Sequence, residues 1–371
     1  MPRDRLVISR RTFLASTAAA AAAASVRPVL AQPQEDKTVG FALVGIGTLT
    51  MGQLLPAFAK CKLARPVALV SGHPDKANQQ AARYGIDPKN IYNYENFDSI
   101  KDNPAVDVVY VVLPNGMHAE YTIRAAKAGK HVLCEKPMAN SASDCQAMID
   151  ACNAANRKLM IGYRLHYEPL TRKAIELARS ADAVGTIKQI TAEGGFNIGE
   201  PTQWRLNRKL AGGGSLMDIG IYALNAVRYL SGQEPSEISA VSYATPGDVR
   251  FKEVEETIAF ELRFNSGIVA SCLSSYGFGC NRFRVYGTAG QFESEPFLSY
   301  QGNRLWQIRG GQRQEVTYEP ANHFASEMDH FAKCTLTDEK PLTPGEEGLQ
   351  DVKLMMAAYE SARTGKTVKV A

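Results

Sequence analysis

Residues 39–52 read VGFALVGIGTLTMG, and this stretch decides how the N-terminal half is expected to fold. It opens with an apolar run of strand length, turns at Gly45 and Gly47, and leads into an amphipathic segment at Leu54–Lys60. Such glycines permit a tight turn and bring backbone N–H groups close to a pyrophosphate at a helix N-terminus. Thr50 stands where the usual fingerprint has its third glycine. The stretch predicts the first βα unit of a dinucleotide-binding domain.

The same alternation of strand and helix continues along the chain. Further strands are predicted at Pro66–Val70, Val106–Leu113 and His131–Cys134, with helical stretches between them. Alternating strands and helices are typical of a parallel, doubly wound sheet. The sequence therefore predicts an α/β protein with a Rossmann domain over residues 38–160.

The pattern changes at about Lys188 to longer alternating strands, which are typical of an antiparallel sheet. These strands are predicted at Gln189–Glu193, Glu237–Tyr243, Glu256–Phe264, Ile268–Ser275, Asn281–Tyr286 and Gly290–Glu293. A closing helix is predicted at Glu346–Thr364, with Met355 and Met356 in its apolar register. Residues 161–371 are thus expected to form an α+β domain with a largely antiparallel open sheet, which would bind substrate and form a dimer.

The overall composition narrows the classes of partner. The chain has 371 residues, a formal net charge of +4 and seven cysteines without CxxC spacing. No basic stripe of the kind that binds nucleic acid or an anionic membrane is present. The cysteine spacing also argues against a zinc site and a dense disulfide framework, so no metal is predicted.

The first residues resemble a targeting segment. Arg10 and Arg11 precede an alanine-rich apolar run that is too short to span a bilayer, and Ala31 supplies a small residue for cleavage. This order resembles a twin-arginine signal over residues 1–31, with a mature chain from about Gln32. We therefore expect a periplasmic protein that is exported folded, without a membrane anchor.

The end of the second strand favours one nucleotide over the other. NAD-specific folds usually place a carboxylate there to hold the ribose 2′-hydroxyl. Here the chain has Ser71 and Gly72, and Lys76 follows within reach of a 2′-phosphate. A carboxylate would repel that phosphate, so its absence favours NADP; the alternative for Lys76 is a surface lysine on a solvated turn.

Other polar residues follow the later strands at the edge where such sheets bind ligands. Asn115 and His118 either hydrogen-bond the ribose or the nicotinamide-side phosphate, or serve as a turn residue and a helix-capping partner. The expected cofactor contacts are Gly45, Gly47, Thr48, Leu49, Ser71, Gly72, Lys76, Pro114, Asn115, His118, Glu135, Lys136, Arg164, Trp204 and Arg205.

Two clusters are predicted to carry the chemistry. Lys136 ends a strand at the ligand edge, where a neighbouring NADP⁺ is expected to depress its pKa. Further on, a glycine-rich turn at 212–214 leads into a helix that Ser215 is expected to cap, and Asp218 and Tyr222 share one face of it. A carboxylate and a phenol beside a lysine suit proton transfer at a sugar hydroxyl. The alternative is a capping Asp and a core Tyr on a buried helix.

These clusters resemble a known family. Glu135-Lys136-Pro137 with the 212–220 pattern GGGxLxDxG is similar to the glucose–fructose oxidoreductase (Gfo/Idh/MocA) family, from about Val39 to the C-terminus. The runs at 134–140, 158–164 and 203–208 (CEKPMAN, KLMIGYR and QWRLNR) add to the likeness.

The resemblance carries specific expectations. It implies that Lys136, Asp218 and Tyr222 are catalytic, and that Ser71 and Lys76 hold the 2′-phosphate. Many members have a histidine where this chain has Tyr222, and the tyrosine marks the glucose–fructose oxidoreductase and dihydrodiol-dehydrogenase branch. The glucose–fructose oxidoreductases have a long proline-rich arm that crosses a neighbouring subunit, and here only residues 32–37 are available for it, so the tetramer and the glucose–fructose pairing stay open.

Residues from both halves of the chain are expected to line the sugar pocket. Trp204 could stack on a sugar ring and Arg205 could bind its hydroxyls, although a lone Trp is as often a core residue. The predicted substrate contacts are Lys136, Tyr163, Arg205, Asp218, Tyr222 and Tyr300, with Arg164 as a further candidate.

The sequence thus predicts an NADP-dependent oxidoreductase acting on monosaccharides. Its cofactor would stay bound while one aldose is oxidised to a lactone and a second sugar is reduced. The alternatives are a conventional dehydrogenase or reductase of dihydrodiol or anhydrosugar type, an NAD-dependent glycoside hydrolase, and a binding protein without catalysis. A homodimer through the antiparallel sheet is expected, since an exposed sheet face needs a partner.

Overall fold

The N-terminal half is built around the predicted parallel sheet. The computed structural model describes residues 37–370, so the leader predicted at 1–31 lies outside the described residues. All six side-chain positions of β1 are buried, as expected for a central strand covered on both faces. The strands are β1 (Val39–Val44), β2 (Ala64–Val70), β3 (Ile91–Tyr92), β4 (Val108–Val111), β5 (His131–Glu135) and β6 (Leu159–Gly162).

Helices connect these strands in the order expected of a doubly wound fold. The turn after β1 passes through three short helical segments, Thr50–Leu54, Leu55–Ala57 and Phe58–Lys60. The longer helices are α1 (Pro74–Tyr84), α2 (His118–Lys127), α3 (Ala142–Ala154) and α4 (Pro169–Ala178). Short 3₁₀ turns lie at Pro88–Asn90, Phe97–Asp102, Asn115–Met117 and Arg164–Tyr167.

The strand order places a ligand site between β1 and β4. The order is β3-β2-β1-β4-β5-β6, and all of its pairs are parallel. The chain leaves β1 toward β2 on one side and later continues from β4 on the other, which opens a crevice at their carboxyl ends. The predicted Rossmann sheet is confirmed, and the short edge strand β3 is an addition to it.

The second half forms a nine-stranded sheet. Its helices are the short α5 (Arg208–Ala211) and α6 (Ile221–Ser231), which continues a π-helical turn at Leu216–Gly220. Its strands are β7 (Ile187–Gly195), β8 (Glu237–Tyr243), β9 (Thr257–Arg263), β10 (Val269–Ser275), β11 (Cys280–Gly287), β12 (Gln291–Ser294), β13 (Leu305–Arg309), β14 (Gln312–Glu315) and β15 (Val368–Lys369). The remaining helices are α7 (His323–Thr337) and α8 (Gly345–Thr364).

This second sheet is largely antiparallel, as predicted. Its order is β14-β13-β12-β11-β7-β10-β9-β8-β15, and β7 with β10 is the parallel pair. Ile258, Phe260 and Leu262 of β9 are buried, while Glu261 and Arg263 between them are exposed. One face therefore packs on α6 and α8, and the other faces outward.

The second half also contributes to the first. α7, which the sequence pattern does not predict, packs on β1 and β2 and buries Phe324, Met328 and Phe331 there. The predicted boundary at residue 160 falls inside β6, which runs to Gly162. Among residues 37–370, no helix is long and apolar enough to span a bilayer.

One buried ion cluster joins two helices of the second half. Arg228 of α6 donates to Asp351 of α8 at 2.6 Å and to Glu347 at 2.7 Å, and it also pairs with Glu234. Asp351 is fully buried, and burial raises its pKa to about 6 although Arg228 opposes the rise. A carboxyl whose pKa rises on folding costs stability once pH exceeds its unfolded value, and Arg228 limits that cost at neutral pH.

We predict that Arg228→Met lowers the free energy of unfolding by about 3–5 kcal/mol at neutral pH, because it leaves Asp351 buried and unpaired. The loss should shrink toward about pH 5, where Asp351 is protonated in the fold. Urea denaturation at neutral pH and at about pH 5 measures the free energy of unfolding of the wild type and of the variant. Arg363→Met, which removes an exposed pair with Glu360, is the matched control and should cost less than about 1 kcal/mol. An equal loss at both pH values would contradict the account.

Candidate active site

The turn after β1 is shaped for a ligand that approaches the backbone. Gly45 has φ +96°, and a Cβ there would clash with the carbonyl of Val112. At Gly47 an added Cβ would meet nothing within 4 Å, so this residue faces open space. The hydroxyl of Thr50 donates to the Gly45 carbonyl at 2.6 Å. Thr50 thus closes the turn with a side-chain bond in place of the third glycine.

A cavity of about 350 Å³ lies at the carboxyl ends of β1 and β4. It brings together most of the predicted contacts, namely Gly45, Gly47, Thr48, Leu49, Ser71, Lys76, Pro114, Asn115, Glu135, Lys136, Trp204, Arg205 and Asp218. Five further lining residues, which the sequence did not single out, are Ile46, His73, Tyr94, Val112 and Leu113. Gly72 lies next to Ser71 in the same turn but is not part of the lining.

One end of the cavity is suited to a phosphorylated ribose. Ser71 accepts from the backbone N–H of His73 at 3.1 Å, and Lys76 donates to the Ile46 carbonyl at 3.4 Å. Lys76 therefore reaches back over the glycine turn. Among the described lining residues, the carboxylates are Glu135 and Asp218. Glu135 ends β5 and Asp218 lies in the turn before α6, whereas Ser71 and Lys76 follow β2. A 2′-phosphate near Ser71 would meet a cation without a competing lining carboxylate, so the residues fit NADP.

The prediction that His118 contacts the cofactor is wrong in this geometry. Its ring is fully buried, and its two nitrogens lie 2.8 Å from the Leu113 carbonyl and 2.9 Å from the Pro137 carbonyl. Both ring nitrogens therefore face backbone carbonyls, and no side chain among the described residues caps the start of α2, so His118 fills neither the cofactor role nor the capping role. Asn115 remains in the lining, and its amide nitrogen donates to the Ala211 carbonyl at 2.8 Å.

Lys136 and Asp218 join the two halves at the inner end of the cavity. The ammonium of Lys136 donates to the Asp218 carbonyl at 2.6 Å and lies 3.4 Å from its carboxylate. The other carboxylate oxygen of Asp218 accepts from Arg205 at 2.8 Å and from the Tyr276 hydroxyl at 3.1 Å. No sequence signal had marked Tyr276, since it enters the site from the end of β10. Arg205 also stacks on Trp204, 4.7 Å from the ring centre.

The charges of this network fix its protonation. Burial alone would raise the pKa of Asp218, but the charges of Arg205 and Lys136 outweigh it and lower that pKa. Burial alone would lower the pKa of Lys136, but the negative charge of Tyr222 in its ionised form and of Asp218 outweighs it and raises that pKa. The predicted depression of the Lys136 pKa concerned a lysine beside NADP⁺, and it stays a prediction. Asp218 stays a carboxylate at neutral pH and acts as an acceptor.

Tyr222 lies between two cations. The Lys136 ammonium is 4.6 Å from the centre of the phenol ring, and the Nε of Arg164 donates to the phenol oxygen at 3.2 Å. Tyr300, half exposed, is also near the Arg164 guanidinium, with its ring centre 4.9 Å from the guanidinium carbon. The predicted contact at Tyr163 is wrong, because this side chain is buried with its hydroxyl near Asp351 rather than in the cavity.

The segment that carries Asp218 and Tyr222 is held at its start by a carboxylate from elsewhere. Glu255 accepts from the backbone N–H of Gly214 at 2.8 Å and of Leu216 at 3.0 Å, and the Tyr359 hydroxyl donates to it at 2.9 Å. Ser215, the expected cap, instead makes a buried hydroxyl pair with Ser274 at 3.0 Å. Glu255 thus satisfies helix N–H groups that would otherwise lack partners.

Together the sheet order, the glycine turn and the lining define a Rossmann-type dinucleotide-binding protein. Residues 39–163 match the oxidoreductase family GFO/IDH/MocA, described by its NAD-binding Rossmann fold, and residues 180–370 match its C-terminal alpha/beta domain. The chain belongs to this family of oxidoreductases. The resemblance drawn from the sequence is confirmed at the level of the family.

Several known proteins are similar over nearly the whole chain. The crystal structure of aldose–aldose oxidoreductase from Caulobacter crescentus, complexed with glycerol, is 48% identical with a TM-score of 0.88, covering 90% of this chain and 100% of that one. D-xylose 1-dehydrogenase [NADP(+)] of Haloarcula marismortui is 32% identical over 91% of this chain and 95% of its own length. The 1,5-anhydro-D-fructose reductase of Ensifer adhaerens is 27% identical, covering 88% and 97%.

We predict that Glu255→Ala lowers the free energy of unfolding by about 1–3 kcal/mol, because two backbone N–H groups and the Tyr359 hydroxyl lose their acceptor. Glu255→Gln keeps one oxygen and should lose less. Urea denaturation measures both. Glu319→Ala, at an exposed position in the segment before α7, is the matched control and should change stability by less than about 0.5 kcal/mol. Equal stability of Glu255→Ala and the control would show that the cap is not needed.

Proposed function

We propose that the protein is an NADP-dependent sugar oxidoreductase that keeps its cofactor bound through a two-step cycle. In the first step an aldose is oxidised at C1 to a lactone, and in the second another sugar is reduced. The observation that carries the proposal is that Lys136 and Asp218 line the dinucleotide cavity in contact with each other, and that the ring of Tyr222 lies 4.6 Å from the Lys136 ammonium.

The relatives support the substrate class and the cofactor. The similar solved structure is named an aldose–aldose oxidoreductase, and a similar relative is named an NADP(+) D-xylose dehydrogenase. The neutral turn at Ser71 and the nearby Lys76 agree with NADP. Pairing of glucose with fructose, which the resemblance raised, stays a prediction.

In the proposed cycle each of these side chains has a part in the chemistry. Bound NADP⁺ supplies the acceptor for the hydride of the C1–H bond. Tyr222 takes the proton of the C1 hydroxyl, so the sugar loses a proton and a hydride and becomes a lactone. Asp218 accepts a hydrogen bond from a sugar hydroxyl, and Lys136 places positive charge beside the oxygen on which negative charge develops.

The second half-reaction reverses the proton path. Tyr222 returns its proton to the carbonyl oxygen of the second sugar as that carbonyl is reduced. Asp218 remains ionised throughout, because Arg205 and Lys136 hold its pKa low. Trp204 and Arg205 line the cavity, where an indole face and a guanidinium suit a sugar ring and its hydroxyls.

A conventional dehydrogenase, which exchanges its nucleotide at each turnover, is the second candidate. The names of the xylose dehydrogenase and the anhydrofructose reductase favour it. Glycoside hydrolysis through bound NAD is less well supported, because Ser71 is neutral and a tyrosine stands at position 222.

We also propose a homodimer through the outward face of the second sheet and export by the twin-arginine route. Val241 and Tyr243 of β8 are 70% and 54% exposed on that sheet. Exposed apolar residues of this kind agree with a face that a second subunit covers.

The proposed cycle predicts a spectral change in the purified protein without added nucleotide. Glucose should produce the absorbance band of reduced nicotinamide, because the cofactor is already bound, and a second aldose or a ketose should remove it. Tyr222→Phe, which should still bind nucleotide, is the control and should form the band about 10²- to 10⁴-fold more slowly, because it lacks the group that takes the proton. Turnover that occurs only when nucleotide is added would contradict the cycle and favour the conventional dehydrogenase. Release of an aglycone from a chromogenic glycoside would favour hydrolysis.

Nucleotide choice gives a second test. We predict that Lys76→Ala weakens NADP binding by about ten- to a hundredfold and leaves NAD binding nearly unchanged, because a charge-assisted contact to phosphate contributes about 1.5–3 kcal/mol. Calorimetric titration of nucleotide-free protein measures both affinities. Lys60→Ala, an exposed lysine outside the cavity, is the matched control. Equal weakening for NADP and NAD would show that Lys76 does not recognise the 2′-phosphate.

A further inference from the structure

Tyr222 has a contact that the proposed mechanism does not use. In that mechanism, which follows the sequence analysis, the cation beside the phenol is Lys136. We infer that Arg164 is the cation that holds the Tyr222 oxygen during proton transfer, while Lys136 chiefly fixes Asp218 and the substrate side of the cavity. The inference rests on the proposed function and identifies a residue of the same site.

The bonds of Lys136 point away from the phenol oxygen. Its ammonium donates to the Asp218 carbonyl at 2.6 Å and lies 3.4 Å from the Asp218 carboxylate. Toward Tyr222 it faces the ring, 4.6 Å from the centre, and makes no hydrogen bond to the hydroxyl. An ammonium over an aromatic face is attracted by the ring as a whole and does not orient the O–H group.

Arg164, by contrast, is bonded to the reacting oxygen itself. Its Nε donates to the Tyr222 oxygen at 3.2 Å, and a guanidinium cannot accept in return. The phenol oxygen therefore accepts from Arg164, and its own hydrogen is left for a sugar oxygen. When Tyr222 has given up that hydrogen, the same bond joins a cation to an anion and becomes stronger. The contact thus favours the form of Tyr222 that can take a proton.

The guanidinium is held firmly enough to act in this way. Arg164 is 4% exposed, and one Nη donates to the Leu298 carbonyl at 2.6 Å. Its central carbon lies 5.0 Å from the ring centre of Tyr222 and 4.9 Å from that of Tyr300. The other Nη is buried without a hydrogen-bond partner among the described residues. A buried N–H group without a partner costs stability, and it is expected at a functional site rather than in ordinary packing.

Buried carboxyls lie around the arginine and set its surroundings. The Tyr110 hydroxyl donates to Glu135 at 2.7 Å and lies 3.4 Å from Glu327, so this acid pair is bridged. Burial raises the pKa of Glu135 and of Glu327, and Arg164 opposes the rise for each. The ionisable groups facing Arg164 and Tyr222 are Lys136, Asp218, Glu135, Glu327, Glu168, His323 and Tyr300.

Arg164→Met tests the inference, because methionine keeps an apolar stem near the two rings and removes the charge. The readout is the single-turnover rate of reduction of bound nucleotide by an aldose, measured across pH. We expect a loss of roughly 10²-fold at neutral pH. The pH of half-maximal oxidation should move upward by about one unit or more, since a nearby positive charge has been removed. Arg164→Lys should recover part of both effects.

Two comparisons separate this role from a structural one. In a Tyr222→Phe background, Arg164→Met should change the residual rate by less than about twofold, because the phenol oxygen through which it acts is gone. Lys136→Met should lower the rate without the same displacement of the pH profile. Arg124→Met, at a surface ion pair on α2, is the folding control and should match the wild type.

The outcomes distinguish the inference from the proposed function. An active wild type whose pH profile is unchanged in Arg164→Met would overturn the inference alone, as would a displaced profile in Lys136→Met with none in Arg164→Met. A wild type that reduces no bound nucleotide with any aldose would overturn the proposed function and this inference with it.

Discussion

The contact between Lys136 and Asp218 is the constraint on which the site depends. Lys136 directly follows β5 of the parallel sheet, and Asp218 lies in the π-helical turn before α6. Their 2.6 Å and 3.4 Å contacts therefore join the two halves across the cavity. The contact brings Tyr222, one turn further on, beside the lysine, and the charges of Arg205 and Lys136 together keep Asp218 a carboxylate. Without it the dinucleotide turn and the proton-handling residues would belong to two separate surfaces.

Much of the fold followed from the sequence because its signals are local. The apolar run and the glycines at 39–47 specify the first βα turn, and the alternation after it specifies a parallel sheet. The alternating runs from residue 188 onward specify the second sheet, and β8 lies where it was predicted, at Glu237–Tyr243. By contrast, α7 escaped prediction because its buried face is defined by contact with β1 and β2, which are distant in sequence.

The site was predictable as a list of residues and less so as a network. Lys136, Asp218 and Tyr222 come from motifs, and the structure brings all three together. Tyr276 and Glu255 had no local signal, since a tyrosine after a strand and a glutamate before one are ordinary in sequence. His118 and Tyr163 were misplaced because burial, and not spacing, decides which partners a polar side chain meets. The sign of the Lys136 pKa shift depended in the same way on its neighbours.

Direct transfer of the C1 hydrogen between two sugars is the most direct test of the central claim. The purified protein would be given an aldose that carries deuterium at C1, together with an unlabelled acceptor sugar and no free nucleotide. Mass spectrometry of the reduced product is expected to find the deuterium at the carbon that was the acceptor carbonyl, because a carbon-bound hydrogen moves as hydride and does not exchange with water. A reduced product without deuterium, or no reduced product at all, would contradict the account.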